Sequence, residues 1–235
     1  MKVGITLPTF APSPAAALAT ARGAEDAGID GVFAFDHLWP GANKSRPALS
    51  MYPVLAAVAS TTRHIRIGSL VARVGLVPDQ LIVESFLGLH EVSGHRVVAA
   101  LGVGDVKSFS ENEAYGIAWP ALEDRRTSLA AVLDQLIGSG VECWVGATAP
   151  VTLEIARAAG ATVNLWDVDL DRVEAEAGRG SATWAGPLPL EAAPAARKLT
   201  DLRAAGAAWA IWGWPSSVEL VSETIRLAGL QDRRD

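Results

Sequence analysis

Asp26-Ala-Gly-Ile-Asp-Gly-Val-Phe-Ala-Phe35 decides the fold, because its grammar recurs at Ala158-Ala-Gly-Ala-Thr-Val-Asn-Leu-Trp166 and at Ala204-Ala-Gly-Ala-Ala-Trp-Ala-Ile-Trp212. Each stretch reads as helix end, glycine stop and apolar strand. A glycine just past a helix takes the left-handed conformation without a Cβ clash, and a β-rich run follows it. The segments ahead, Ala15–Ala27, Val151–Ala159 and Ala192–Ala205, are Ala- and Arg-rich with helical spacing. Helix therefore alternates with strand.

Carried along the chain, this alternation predicts strands at Val3–Leu7, Val32–Phe35, Ile65–Val71, Val97–Leu101, Glu142–Val145, Thr162–Leu165, Thr183–Ala185 and Trp209–Trp212. Continuously apolar strands such as Val97-Val-Ala-Ala-Leu101 suit a parallel sheet covered on both faces, and eight such units suit closure. The expected fold is α/β, a (β/α)8 TIM barrel. It is read as one domain over residues 1–230, with 231–235 as a tail. An open doubly wound sheet is the weaker alternative, since Thr6-Leu-Pro-Thr-Phe10 follows the first strand where a Gly-x-Gly-x-x-Gly turn would be needed.

The chain has 235 residues, half of them apolar and a fifth charged, with a net charge of -6. Such a balance suits a globular domain and argues against nucleic acid as partner. No apolar run approaches the length of a membrane span, and no secretory signal opens the chain, so a cytoplasmic location is expected. The single cysteine, Cys143, lies in an apolar strand and reads as a small core residue. His64, His90 and His95 lack metal-ligand spacing, so no metal site is expected.

Active sites of such barrels lie at the C-terminal strand ends. There stand Asp36-His37-Leu38-Trp39, Gly102-Val-Gly-Asp105, Trp166-Asp167 and Gly213-Trp214-Pro215. His37 is a candidate general acid/base, with Asp36 to fix its tautomer; alternatively Asp36 caps the next segment and His37 is a surface residue. Five of the eight tryptophans, Trp39, Trp166, Trp184, Trp212 and Trp214, fall at or just past strand ends. They suit a planar guest, or simply packing. Gly146-Ala-Thr148 precedes a helix whose amides suit a phosphate; an ordinary turn capped by Thr148 is the other reading.

The ordered set Val3-Gly-Ile-Thr-Leu-Pro8, Ala24–Asp30, Phe35-Asp-His-Leu38, Ile65-Arg-Ile-Gly-Ser-Leu-Val71, Leu89–Gly104 with Ser93-Gly-His-Arg96, Glu111–Ile117, Arg125 and Trp144-Val-Gly146 resembles the luciferase-like monooxygenase superfamily. That resemblance implies a flavin oxidoreductase using FMN or the deazaflavin F420 across the barrel mouth, with a small organic substrate. It places Asp36 and His37 at the chemistry and Phe10, Trp39 and Trp212 around the substrate. It further implies cofactor contacts at Ser69, Leu70, Val71, Gly104, Asn112, Gly146, Ala147, Thr148, Asn164 and Trp166, a non-prolyl cis peptide within Ser69–Val71, and a homodimer. Relatives have a second glycine where this chain has Ala147. They also carry an active-site insertion and a longer connection where Ile137–Glu142 is short, so this barrel is expected to be compact, without the usual cover. A flavin-binding protein without turnover and a flavin-free lyase or isomerase are the competing functions.

Overall fold

The computed structural model describes residues 1–39, 44–213 and 217–230, the side chain of Lys107 excepted. Trp214, Pro215 and the tail at 231–235 lie outside the described residues. Within them the order is β1 (Lys2–Thr6), α1 (Ala15–Asp26), β2 (Gly31–Ala34), α2 (Met51–Thr61), β3 (Arg66–Ser69), β4 (Ala72–Arg73), α3 (Asp79–Val92), β5 (Val97–Gly102) and α4 (Val106–Ala114). There follow α5 (Leu122–Gly138), β6 (Glu142–Gly146), α6 (Pro150–Ala158), β7 (Thr162–Trp166), α7 (Leu170–Ala177), β8 (Ala182–Gly186), α8 (Ala192–Ala204), β9 (Trp209–Trp212) and α9 (Val218–Leu227).

All pairings between these strands are parallel, and β3 bonds to β5 with Ile67 opposite Val97, which closes the sheet into a barrel. Its eight staves are those the alternation predicts. The difference is in the third: the expected continuous strand Ile65–Val71 stops at Ser69, and β4 resumes beside β5 alone. Between them the Leu70–Val71 peptide is cis, inside the segment the resemblance indicated. Leu70 and Val71 continue the β-type pattern of Ile65 and Ile67, so the sequence pattern carried no sign of the break.

The three stops close alike. Gly28, Gly160 and Gly206 have φ of 74°, 75° and 87°. The next amide in each case reaches back to the helix, as Ile29 N–H does to Ala24 O at 2.9 Å.

Inside the barrel stand Phe33, Val98, Ala100, Trp144, Ala185, Trp209 and Ile211, with Phe35 and Val71 over them. Phe33 and Trp144 stack at 5.3 Å, and Trp209 meets both edge-on. Glycines paired on the neighbouring strands β1 and β2 make the room: a Cβ at Gly4 would lie 2.7 Å from the Phe33 ring, and one at Gly31 2.9 Å from Trp209. The remaining apolar residues fill the layer between strands and helices. Trp184 and Trp212 belong to that outer layer, fully buried, which corrects the expectation that they stand on the rim and that Trp212 lines a substrate pocket. Cys143 is buried as expected, and burial pushes its thiol up to about 12.

Candidate active site

The turn after β2 places His37 at the barrel mouth with its side chain 39% exposed. Its Nδ1 lies 2.8 Å from Glu111 Oε1 on α4. The second Glu111 oxygen accepts from Leu38 N–H at 3.0 Å and from Arg73 Nη2 at 2.7 Å. Burial alone would raise the Glu111 carboxyl, but the His37 hydrogen bond, the Leu38 amide and the charges of His37 and Arg73 together hold it below the ordinary range. An ionised Glu111 can only accept, so Nδ1 carries a proton, and whenever the ring is neutral Nε2 is the acceptor. No described residue pairs with Nε2.

Asp36 does not orient His37, contrary to expectation. Its Oδ2 accepts from Arg73 N–H at 2.9 Å and its carbonyl from Arg73 Nε at 3.1 Å, so it ties the second turn to β4. Burial raises its carboxyl, against the pull of the Arg73 amide and charge. Arg73, with 5% of its side chain exposed, also donates to Ser108 O. Sequence reasoning missed Arg73 altogether and read Glu111 only as part of a resembling stretch. The available signal was Arg73 itself: a lone charge in the apolar run Ser69–Val77 must find a buried partner.

A wall of rings adjoins His37. Phe10 stacks on Phe35 at 5.9 Å and 9°, while Phe35 meets Trp166 edge-on at 5.9 Å and lies 6.4 Å from the imidazole. Trp166 is 47% exposed. Trp39, expected in the substrate wall, is instead buried against Tyr115 at 6.2 Å.

The expected cofactor contacts divide. Leu70 and Val71 top the barrel core, and Val71 fills the space above two strand-end glycines, since a Cβ at Gly146 would sit 2.8 Å from its Cγ1. Ser69 is fully buried and donates to Ala100 O at 2.6 Å. Gly104, at φ 70°, lies beneath Trp119 and Arg125, whose guanidinium stacks on Trp119 at 4.0 Å and donates to the Val103 and Gly104 carbonyls. Asn112 and Asn164 are in the wall rather than on its surface. The first donates to Gly75 O and Ala118 O, the second to Thr183 Oγ1 at 2.8 Å.

Gly146 ends β6, and Ala147 and Thr148 lead into α6 with Pro150 in its first turn. The N-cap is Ala149, with no side-chain cap, which corrects the reading of Thr148 as cap. Arg172 Nη2 lies 3.5 Å from Thr148 O. Uncapped first-turn amides beside a guanidinium suit an anionic group.

A cleft of about 780 Å³ opens at the opposite, N-terminal end, lined by Lys2, Asp30, Glu142, Trp144 and Trp209 among others. Its carboxylates are engaged, Asp30 by Val3 N–H at 2.7 Å and Glu142 by Arg66 and the Trp144 indole. His37 and its ring wall stand at the other end, the C-terminal strand ends where such barrels place their active sites. Among the described residues no cluster of His, Cys, Asp and Glu suits a metal ion, and no helix is long and apolar enough to cross a membrane.

Fold and site together define a parallel (β/α)8 barrel with a carboxylate-held histidine at its mouth. The model of the luciferase-like monooxygenase family matches residues 1–142, and the chain belongs to that family. Among curated relatives, it is 32% identical over 157 residues to an F420-dependent glucose-6-phosphate dehydrogenase of Nakamurella multipartita, covering 66% of this chain and 43% of that one. A protein of the same description from Beutenbergia cavernae is 31% identical over 129 residues, covering 53% and 37%. The chain thus spans less than half the length of these relatives. Solved structures share the fold: an F420-dependent secondary alcohol dehydrogenase in complex with an F420–acetone adduct at TM-score 0.80, 12% identity and 97% and 98% coverage of the two chains. The coenzyme F420-dependent tetrahydromethanopterin reductase of Methanopyrus kandleri gives 0.72, with 15% identity and 95% and 96% coverage.

Proposed function

We propose that this chain is an oxidoreductase that binds a flavin-type cofactor at the barrel mouth, F420 in preference to FMN, and acts on a small organic substrate with His37 as acid/base group. The observation that carries the reading is the His37–Glu111 pair, a proton-handling imidazole held by a buried carboxylate and facing an aromatic wall. The F420-dependent descriptions of the curated relatives support F420 over FMN.

The residues present fit such a cofactor. Trp166 and Phe35 offer faces to a planar ring above Leu70 and Val71. Gly146, Ala147 and Thr148, with the first turn of α6 and Arg172, suit a phosphate. When bound, the group supplies two-electron hydride chemistry.

The protein's own part is orientation and proton handling. His37 Nε2 accepts a proton from a substrate hydroxyl, or returns one to a carbonyl oxygen. Glu111, kept ionised by Arg73 and the Leu38 amide, stabilises the imidazolium that forms. Arg73 also fixes the turn bearing His37 through Asp36.

Equilibrium titration of the purified protein with F420 and, separately, FMN, read by ligand and tryptophan fluorescence, tests the assignment. Micromolar or tighter F420 binding is the expected result. Binding of FMN alone would overturn the choice of cofactor, and binding of neither would overturn the reading.

A further inference from the structure

Helix α4 brings Glu111 to His37, and it is built inside out. Its buried described side chains are Ser108, Glu111 and Asn112, three polar residues at the spacing of one helical face. Val106 and Phe109, its large apolar residues, are 84% and 43% exposed. A nine-residue helix is marginal alone and normally owes its place to a buried apolar stripe. Among its described side chains α4 has none. The ring contacts on its outer side, Phe109 on Trp119 and the following Tyr115 on Trp39, are made to loop residues. Gly104 and Gly116 flank it with φ of 70° and 66°, and small residues at the ends of an element are where a hinge turns.

Polar contacts must therefore fix the helix. Those of Glu111, to His37, Leu38 N–H and Arg73, are the ones whose geometry has to be set. Ser108 offers its carbonyl to Arg73 Nη1 at a long 3.4 Å. Asn112 supplies the independent hold. Its Nδ2 donates to Gly75 O at 3.1 Å and to Ala118 O at 3.0 Å, which joins α4 to the turn just beyond Arg73 and to the loop that follows the helix. Its Oδ1 is buried with no partner among the described residues. An unpaired buried oxygen costs about 1–3 kcal/mol, which the two donations offset.

We propose that Asn112 is a positioning residue: by fastening α4 beside β4 it holds Glu111 against His37, and so decides which imidazole nitrogen faces the mouth as acceptor. With both Nδ2 hydrogens engaged and 1% of the residue exposed, it has no donor to offer a cofactor. The role reaches turnover only through His37 as acid/base group, and to that extent rests on the proposed oxidoreductase reading.

Long-range 1H–15N NMR of the labelled full chain, at a pH well above the imidazole range, reads the His37 tautomer without cofactor or substrate. The resonance is assigned by its loss in His37→Ala. The parent should show the Nδ1–H form. In Asn112→Ala, and in Asn112→Asp, which keeps the volume but has no donor, the population should move toward the Nε2–H form that an unpaired imidazole favours. Amide exchange in α4 should speed about tenfold in both, the equivalent of one lost net hydrogen bond, with α3 and α5 unchanged. An unmoved tautomer in either folded variant would overturn the role, and weakened F420 binding in that same protein would return the side chain to the cofactor. If neither variant folds, the parent decides: α4 amides that open as a separate unit, ahead of α3 and α5, are expected, and exchange only through global unfolding overturns the hinged helix. Failure of F420 to bind the parent removes the oxidoreductase reading and leaves the tautomer result standing.

Discussion

The Nδ1 of His37 lies 2.8 Å from Oε1 of Glu111, although the two residues are 74 positions apart in the chain. The contact joins a half-exposed imidazole to a carboxylate with 4% of its side chain exposed, and Arg73 backs that carboxylate from the other side.

His37→Ala should leave the fold intact, since the side chain contributes little core packing, while kcat falls by about 10²–10⁴, the usual contribution of a positioned acid/base group. Thermal unfolding and turnover on a confirmed substrate check this; unchanged turnover sinks the role.

Glu111→Gln should destabilise the protein by about 3 kcal/mol, because Arg73 loses the charge that compensates its burial. Urea unfolding measures it. The lowered Glu111 value adds stability above its unfolded value, and this is lost as pH falls below 4.5. Asp36, whose value is raised, acts in the other direction. The acid slope of the variant should therefore be shallower than that of the parent.

Gly146→Ala would put a Cβ 2.8 Å from Val71 Cγ1, and overpacking of this kind costs about 1–3 kcal/mol. Val71→Ala removes the obstructing methyls. In the double variant the Gly146 substitution should cost clearly less than alone; additive losses would show that the two do not compete for this space.

His90 and His95 stack at 4.2 Å, and His90 Nδ1 is buried without a partner. Burial, then the neighbouring His95, lowers the His90 value from 6.5. The unfolded chain thus binds a proton the folded one resists, so stability falls as pH drops below 6.5. His90→Gln should shrink this loss, with Tm compared at pH 7.5 and 5.5; on the order of 2 °C is expected.

Cys143, buried and pushed up to about 12, should resist a thiol-specific disulfide reagent in the native protein and react in guanidinium. Rapid native labelling would contradict the packing described.

The connections after α1, α6 and α8 were legible because a glycine following a helical run is a local statement about backbone conformation. The turn between α5 and β6 is short, as expected from the contrast of Ile137–Glu142 with the longer connection of the resembling family. The tryptophans were not legible. Trp209 and Trp212, three apart in one strand, face opposite ways, and the first fills the barrel while the second faces the helices. In a parallel strand covered on both sides, both faces are apolar, so alternation does not separate inside from outside.

The sequence by itself determined the helix–strand order, the eight staves and the placing of His37 just past a strand end, since each depends on neighbours a few residues away. Only the tertiary structure decided that Glu111 rather than Asp36 holds the imidazole, that Arg73 binds both carboxylate segments, and that the third stave breaks at Leu70–Val71. These features depend on closure of the barrel, which brings the ends of β2 and β4 against α4; buried charges are compensated by partners near in space, and spacing along the chain does not specify them.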